Sequence, residues 1–171
     1  MRAAIYTENG TPDVFRLVEM PDPVARPGEV LISVEAISIE GGDLLARRSV
    51  SPGDPPRVKG YAAAGRVVAL GDGVSELALG DRVTSFAFEG SHGELRAVPA
   101  GQCWKIPDAM AMPAAAAALI GLGTAVLAHK LAGIGKGDAV LVIGAAGGVG
   151  TAAMQLAACM LTAPLREREK P

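Results

Sequence analysis

Cysteine is nearly absent from this chain. Cys103 and Cys159 are the only two, far apart and without a Cys-x-x-Cys spacing, so a disulfide framework is excluded and each thiol reads as a buried apolar side chain. Histidine is as scarce: His92 and His129 have no ligand partners at useful spacing, and His92, between Ser91 and Gly93, reads as a loop residue. Charge of one sign is also missing. Sixteen basic against eighteen acidic residues leave a net charge of −2, which gives no electrostatic reason to bind nucleic acid or an anionic membrane. The one dense charge run, Arg166-Glu-Arg-Glu-Lys170, is mixed in sign and reads as a solvated end. The start, Met1-Arg-Ala-Ala-Ile-Tyr6, has no signal-type apolar stretch. The most apolar region, Ala111 to Ala132, is broken by Pro113, Gly121, Gly123, His129 and Lys130, so it reads as one or two buried helices and not a membrane span. A cytoplasmic location is expected by default.

Small apolar residues fill the space that aromatics leave. Half of the 171 residues are apolar and only 4% aromatic, a composition that suits close α/β packing in one or two domains. Short strand-like runs separated by Pro and Gly occupy the first hundred residues: Ala3 to Thr7, Phe15 to Met20, Glu29 to Ile39, Gly65 to Leu70, Val83 to Phe88 and Gly93 to Pro99. Their shortness and even spacing predict a small β-barrel. Near Pro107 the pattern changes. Ala111 to Ala118 is a strong local helix former, with Pro113 suited to its first turn. Gly121-Leu-Gly123 interrupts it, and Thr124 to Ala132 predicts a second helix. A domain boundary is placed near residue 125, with 1–125 and 126–171 as the two parts.

The most informative stretch runs from Asp138 to Gly150. Ala139 to Ile143 reads as a buried parallel strand; a glycine-rich turn, Gly144-Ala-Ala-Gly-Gly-Val-Gly150, and then a helix from Thr151 to Cys159 follow it. A strand, a tight glycine turn and a helix start form the first half of a dinucleotide-binding unit, because bare backbone lets N–H groups approach a pyrophosphate at the positive helix end. Such a domain continues into a second apolar strand ending in an acidic or basic residue. Here Met160-Leu-Thr-Ala-Pro-Leu165 runs into charge, and Pro164 stops any helix, so the unit is expected to be incomplete.

Six segments in order resemble the medium-chain dehydrogenase/reductase superfamily, and within it the zinc-independent quinone oxidoreductase (zeta-crystallin-like) branch. They are Pro27-Gly-Glu-Val-Leu-Ile32, Gly60-Tyr-Ala-Ala-Ala-Gly65, the turn Gly80-Asp-Arg82 before Val83, Trp104-Lys-Ile-Pro-Asp108, Gly121-Leu-Gly-Thr-Ala125 and the glycine turn. The resemblance implies a GroES-like barrel before the start of a Rossmann domain, with NADPH and a quinone or enone substrate between them. It implies cofactor contacts at Thr124, Ala145, Ala146, Gly147, Gly148, Val149 and Gly150, and a substrate cleft at Glu40, Asp43 and Tyr61. Thr124 also fits an N-cap of the second predicted helix, and Tyr61 a half-buried barrel residue. Glu40 stands where the branch usually has Asn. Zinc-dependent relatives carry Cys, His and Glu where this chain has Glu40, Tyr61 and Ala62, and a four-cysteine lobe that two distant cysteines cannot supply, so no zinc is expected. Two functions stay open: an NADPH-dependent quinone or enone oxidoreductase, weakly active or inactive as this shortened chain, or a non-catalytic GroES-like binding or assembly module. Self-association into a homo-oligomer through the region after residue 125 is expected, since a lone central strand seeks neighbours.

Overall fold

The computed structural model describes residues 1–53 and 56–162; the side chains of 161 and 162 and the expected charged end at 166–170, with Pro164, lie outside the described residues. Two compact units divide the chain, Met1–Leu119 and Ile120–Pro171.

The first unit is built on alternation. β1 (Arg2–Ile5) and β2 (Arg16–Glu19) pair antiparallel as a two-stranded sheet. β3 (Glu29–Ser38), β4 (Ala62–Leu70), β5 (Arg82–Phe86), β6 (Leu95–Pro99) and β7 (Cys103–Lys105) form a five-stranded antiparallel sheet in the order β6-β3-β4-β5-β7. Val30 and Ile32 of β3, Val67 of β4, Val83 of β5 and Val98 of β6 face inward and make a core that Leu77 and Cys103 complete. Burial there pushes the Cys103 thiol up to about 12. Gly65 sits where β3 bulges against β4; a Cβ would overlap the Ser33 carbonyl.

The barrel expected from the sequence does not form. β6 and β7 are the two ends of the strand order and do not pair with each other, so the sheet is open. Closure needs consistent tilt and stagger all the way round. Here the last strand has three residues and spends its pairing on β5. The outer connection instead runs through an isolated bridge between Ala3 and Gly93.

Two of the segments carrying the resemblance are parts of one clamp. Asp81 accepts the Ala78 N–H at 2.8 Å and pairs with Lys105 at 2.8 Å. Arg82 donates to the carbonyls of Pro107 at 2.9 Å and Asp108 at 2.6 Å. The Gly-Asp-Arg turn and the Lys-Ile-Pro-Asp link thereby fix where the next helix begins. α1 (Gly41–Ser49), not foreseen in the sequence, lies between β3 and β4.

α2 (Met112–Ala132) is one continuous helix, not the two expected. Ala115 and Ala116 near its start are buried against Ala64 and Met112. The helix is long and apolar enough to cross a membrane by length and composition. α3 (Gly148–Thr162) follows the glycine turn. The expected strand over 139–143 makes no ladder among the described residues, and Ile143 already belongs to the turn. Alternating exposure keeps its two-residue period: Leu141 and Ile143 stand 86% and 92% exposed, with Val140 and Val142 between them less so. The reason is that a strand is made by a neighbour, and no described segment offers one.

Candidate functional site

In the first unit, Glu40, Asp43 and Tyr61 meet at the N-terminus of α1. Glu40 is the N-cap residue, and its N–H donates to the Asp43 carboxylate at 2.8 Å, the N3 half of a capping box. The Glu40 carboxylate accepts the Ser38 hydroxyl at 2.5 Å. Asp43 is buried. Tyr61 reaches the same place from the start of β4, its ring lying against Gly42 so closely that a Cβ there would fall on the ring. Phe86 and Phe88 flank it, with ring centroids 6.4 and 6.1 Å away. Tyr61 is half-buried, so its hydroxyl stays at the helix end and within reach of solvent. Beyond it opens a groove of about 590 Å³ with Arg57, Lys59, Phe88 and Glu89 on its walls. Burial would raise the Glu89 carboxyl, but Lys59 at 3.0 Å and Arg57 at 3.4 Å outweigh it and hold the group below the usual range.

Gly60 explains its own place in the Gly60–Gly65 segment. Its φ is +101°, and a Cβ would overlap the Ser91 hydroxyl and close on the His92 ring. His92 lies in a turn, as expected of a loop residue, and is packed there: Phe15 meets its ring at 6.0 Å. Burial lowers its pKa, Asp43 opposing and Arg96 assisting. The Tyr6 phenol is raised, again first by burial. Sequence reading missed the residue that ties this region together. Arg96 is 2% exposed and donates to the carbonyls of Ser85, Tyr61, Ala87 and Glu89 and to the Ser85 hydroxyl. The only signal for it was a charge at an inward position of an alternating strand. Among the described residues no three His, Cys, Asp or Glu side chains come together as a metal-ligand set.

The second unit holds the glycine turn. Gly144 has φ +76°, the Gly147 N–H donates to the Gly144 carbonyl at 3.0 Å, and the Thr151 N–H closes the first α3 bond to Gly147 at 2.8 Å. Thr151 also donates its hydroxyl to the Ala145 carbonyl at 3.2 Å. Gly150 is obligatory, since a Cβ would overlap the Gly144 carbonyl and the Ala145 backbone. The N–H groups of Gly148, Val149 and Gly150 open the helix and have no intrahelical acceptor. Ala146, Gly147 and Gly148 are exposed, and no side chain lies within 4 Å of a Cβ built on Gly147 or Gly148. These residues fit the diphosphate of a dinucleotide. The turn opens on a cavity of about 600 Å³ that Val140, Val142, Ala125 and His129 also line. Thr124 lies in mid-helix with an exposed side chain, so it caps nothing and is not on that cavity.

Residues 26–108 match the family described as the alcohol dehydrogenase GroES-like domain. The synaptic vesicle membrane protein VAT-1 homolog of Rattus norvegicus is 37% identical over 161 residues, covering 91% of this chain and 40% of that protein. The quinone oxidoreductase of Homo sapiens is 34% identical over 163 residues, covering 92% of this chain and 49% of the relative. A mycobacterial protein solved in complex with NADPH superposes with a TM-score of 0.86 at 37% identity, covering 94% of this chain and 51% of that one. The chain thus spans about two-fifths to one half of the length of these relatives.

Proposed function

We propose, for a chain that belongs to the medium-chain dehydrogenase/reductase superfamily and to its quinone-oxidoreductase and VAT-1-like branch, a part in NADPH-dependent reduction of a quinone or enone without zinc. The observation that carries this reading is the glycine turn, with three N–H groups free at the α3 N-terminus and a bare backbone surface over them. NADPH supplies the hydride when bound; the protein supplies position and polarity. Gly148, Val149 and Gly150 hold the diphosphate. The Tyr61 hydroxyl is the donor for a substrate carbonyl, because the Glu40 carboxyl is already engaged as an acceptor from Ser38. Glu40, Tyr61 and Ala62 supply no cysteine or histidine for a zinc.

The test is binding. The 171-residue chain should enhance or shift NADPH fluorescence, and Gly150→Val should abolish the change while far-UV circular dichroism of the first unit persists. An unchanged signal in Gly150→Val would place the nucleotide elsewhere and defeat the reading.

A second reading, a non-catalytic binding or assembly module, has its support in the α1 cap, where Glu40 and Asp43 are spent on each other and on Ser38. The partners we propose are a small quinone or enone and a second copy of this chain, in the cytoplasm. Residues 139–143 expose Leu141 and Ile143 and pair with no strand among the described residues, which leaves backbone and apolar side chains for a second copy to cover. Sedimentation at high micromolar concentration should show dimers or larger species, and Ile143→Lys should return the chain to a monomer. A strictly monomeric parent chain is the contrary result.

A further inference from the structure

β1 is docked on a short strip of chain, Ser91 to Glu94, that leads into β6. A single β-bridge among the described residues, Ala3 to Gly93, joins the two. The Ala4 N–H donates to the His92 carbonyl at 2.8 Å, and the Glu94 N–H to the Arg2 carbonyl at 3.1 Å. The Arg2 guanidinium closes the joint on the Glu94 carboxylate at 2.7 Å. The loop between β1 and β2 has a separate anchor: the Gly10 N–H donates to the Arg47 carbonyl at 3.1 Å, and Arg47 Nε to the Gly10 carbonyl at 3.0 Å.

His92 sits in the middle of this joint, and its place suits only one of its charge states. The Cδ2–Nε2 edge of the ring packs on the Gly60 backbone: a Cβ built there would lie 2.5 Å from Cδ2 and 2.7 Å from Nε2. Phe15 lies against the ring at 6.0 Å, and Tyr6 against Phe15 at 5.4 Å. Nε2 is buried without a hydrogen-bond partner among the described residues, and the neighbouring Ser91 hydroxyl makes no bond to it. A neutral ring tolerates that place. An imidazolium brings an N–H at Nε2 and a charge, and finds neither acceptor nor water.

Two charges act on the ring. Burial is the largest influence and lowers its pKa; Asp43 opposes and Arg96 assists. The other charged groups around it are engaged elsewhere: Lys59 on Glu89 at 3.0 Å, Arg47 on Gly10, Arg16 on the Phe15 carbonyl at 2.9 Å and Asp13 on the Thr11 hydroxyl. The Tyr6 phenol is raised and stays neutral. Above the ordinary histidine value of 6.5 the docked and the released ring are both neutral, and docking has its full strength. Below it the released ring takes up a proton that the docked ring refuses, so docking weakens as the pH falls. Glu94 keeps its charge through this window, because the Arg2 N–H and guanidinium hold its carboxyl below the usual range.

We propose that His92 is an acid-sensitive latch: its protonation frees β1 from the 91–94 strip and opens the cavity of about 520 Å³ that Ala4, Phe15, Leu17, Val34 and Ile37 line beside it. The Gly10–Arg47 anchor does not involve His92, so β1 is released locally and the five-stranded sheet stays folded.

The experiment is amide hydrogen exchange of the full 171-residue chain between about pH 7.5 and about pH 5, read by NMR as protection relative to the intrinsic rate at each pH. In the parent chain, protection of the Ala4 and Glu94 amides should be level above about pH 6.5 and fall by up to about tenfold per pH unit below it. The Val67 amide, bonded to the Asp81 carbonyl at 3.0 Å in the five-stranded sheet, should keep its protection. The His92 ring resonances should titrate with a midpoint below 6.5. His92→Gln, neutral throughout, should show level protection at Ala4 and Glu94. Parent protection that ignores pH overturns the latch, as does a fall that persists in His92→Gln. A loss that Val67 shares would mean general acid unfolding, and a His92 midpoint at or above 6.5 would mean that Asp43 outweighs burial; either result overturns it too. Exchange and ring titration are both read in the parent chain, so a variant that fails to fold cannot shelter the proposal.

Discussion

Arg96→Met should lower the stability of the first unit by about 3–5 kcal/mol, the cost of stripping the donor from a buried polar network in which both terminal nitrogens of Arg96 are engaged, though its Nε has no partner among the described residues. Arg96 comes from β6 and is almost wholly buried. Its two terminal nitrogens reach Ser85 at 3.0 and 3.2 Å, Tyr61 at 2.7 Å, Ala87 at 3.1 Å and Glu89 at 3.0 Å. None of these bonds is to a carboxylate. Carbonyl dipoles and the Ser85 hydroxyl solvate the cation, and burial brings its pKa down to about 10, which leaves it charged at neutral pH. Replacing a buried ion pair by apolar side chains can be neutral, because both charges go. That escape is closed here, since methionine fills the volume and leaves four backbone carbonyls facing a thioether. Lysine fails for another reason: one ammonium cannot span acceptors that a planar fork reaches from two nitrogens. In thermal unfolding each kcal/mol is worth about 2–4 °C for a chain of this size, so Arg96→Met should melt about 10 °C or more below the parent, and Arg96→Lys nearly as low. A shift under about 2 °C for both would show that the network is dispensable. The effect also reaches the site. Tyr61 and Glu89 hang on the same guanidinium, so the groove beside Tyr61 should loosen before the rest of the sheet does.

How far the sequence could be read depended on which interactions were local. Short runs between Pro and Gly breaks found six strands, with ends shifted by no more than three residues, and two of the strands carry a clean buried row: Val30 and Ile32 in β3, Arg96 and Val98 in β6. They could not find the sheet order. Whether β6 and β7 close on each other is decided by tilt, length and competing partners, none of which is written in a five-residue window. α1 was hidden by Gly41-Gly42, which reads as a break, although Glu40 and Asp43 carry the N-cap and N3 pattern that announces a helix start. Gly121-Leu-Gly123 misled in the opposite direction. Two glycines cost about 2 kcal/mol in helix propensity, and the alanines at 114–118, 125 and 128 make the surrounding helix cheap enough to run through them. The glycine turn was legible because its chemistry is local: Gly144 at positive φ and Gly150 under the Gly144 carbonyl are demands of the backbone itself. Arg96 was not, because an inward charge acquires meaning only from acceptors brought in by other elements.

The second large effect concerns turnover. The 171-residue chain should reduce a simple quinone with NADPH at well under about 1 per second, the lower end of ordinary enzyme rates. Phosphate contacts exist at Gly148–Gly150, but phosphate grip is uniform binding and does not lower the barrier to hydride transfer. That step needs the nicotinamide held near attack distance from the acceptor, where small misplacements lose orders of magnitude. In a doubly wound sheet the placement comes from the carboxyl ends of several parallel strands. Here 139–143 has no paired neighbour among the described residues, and Ile143, next to the turn, is 92% exposed. A segment so little packed is expected to open locally at low cost, which is the wrong support for a reacting centre. The expected pattern is thus measurable ADP-ribose or NADPH binding with almost no quinone-dependent loss of NADPH absorbance. Adding a chain that completes the sheet should raise the rate, and Tyr61→Phe should then lower it about 10- to 100-fold, while leaving NADPH binding alone, if the hydroxyl polarises the acceptor. Should the 171-residue chain by itself turn over at about 1 per second or faster, the unpaired segment must be completed by a second copy of the chain. Activity would then rise with the square of protein concentration and vanish in Ile143→Lys, and linear dependence on concentration would defeat that account too.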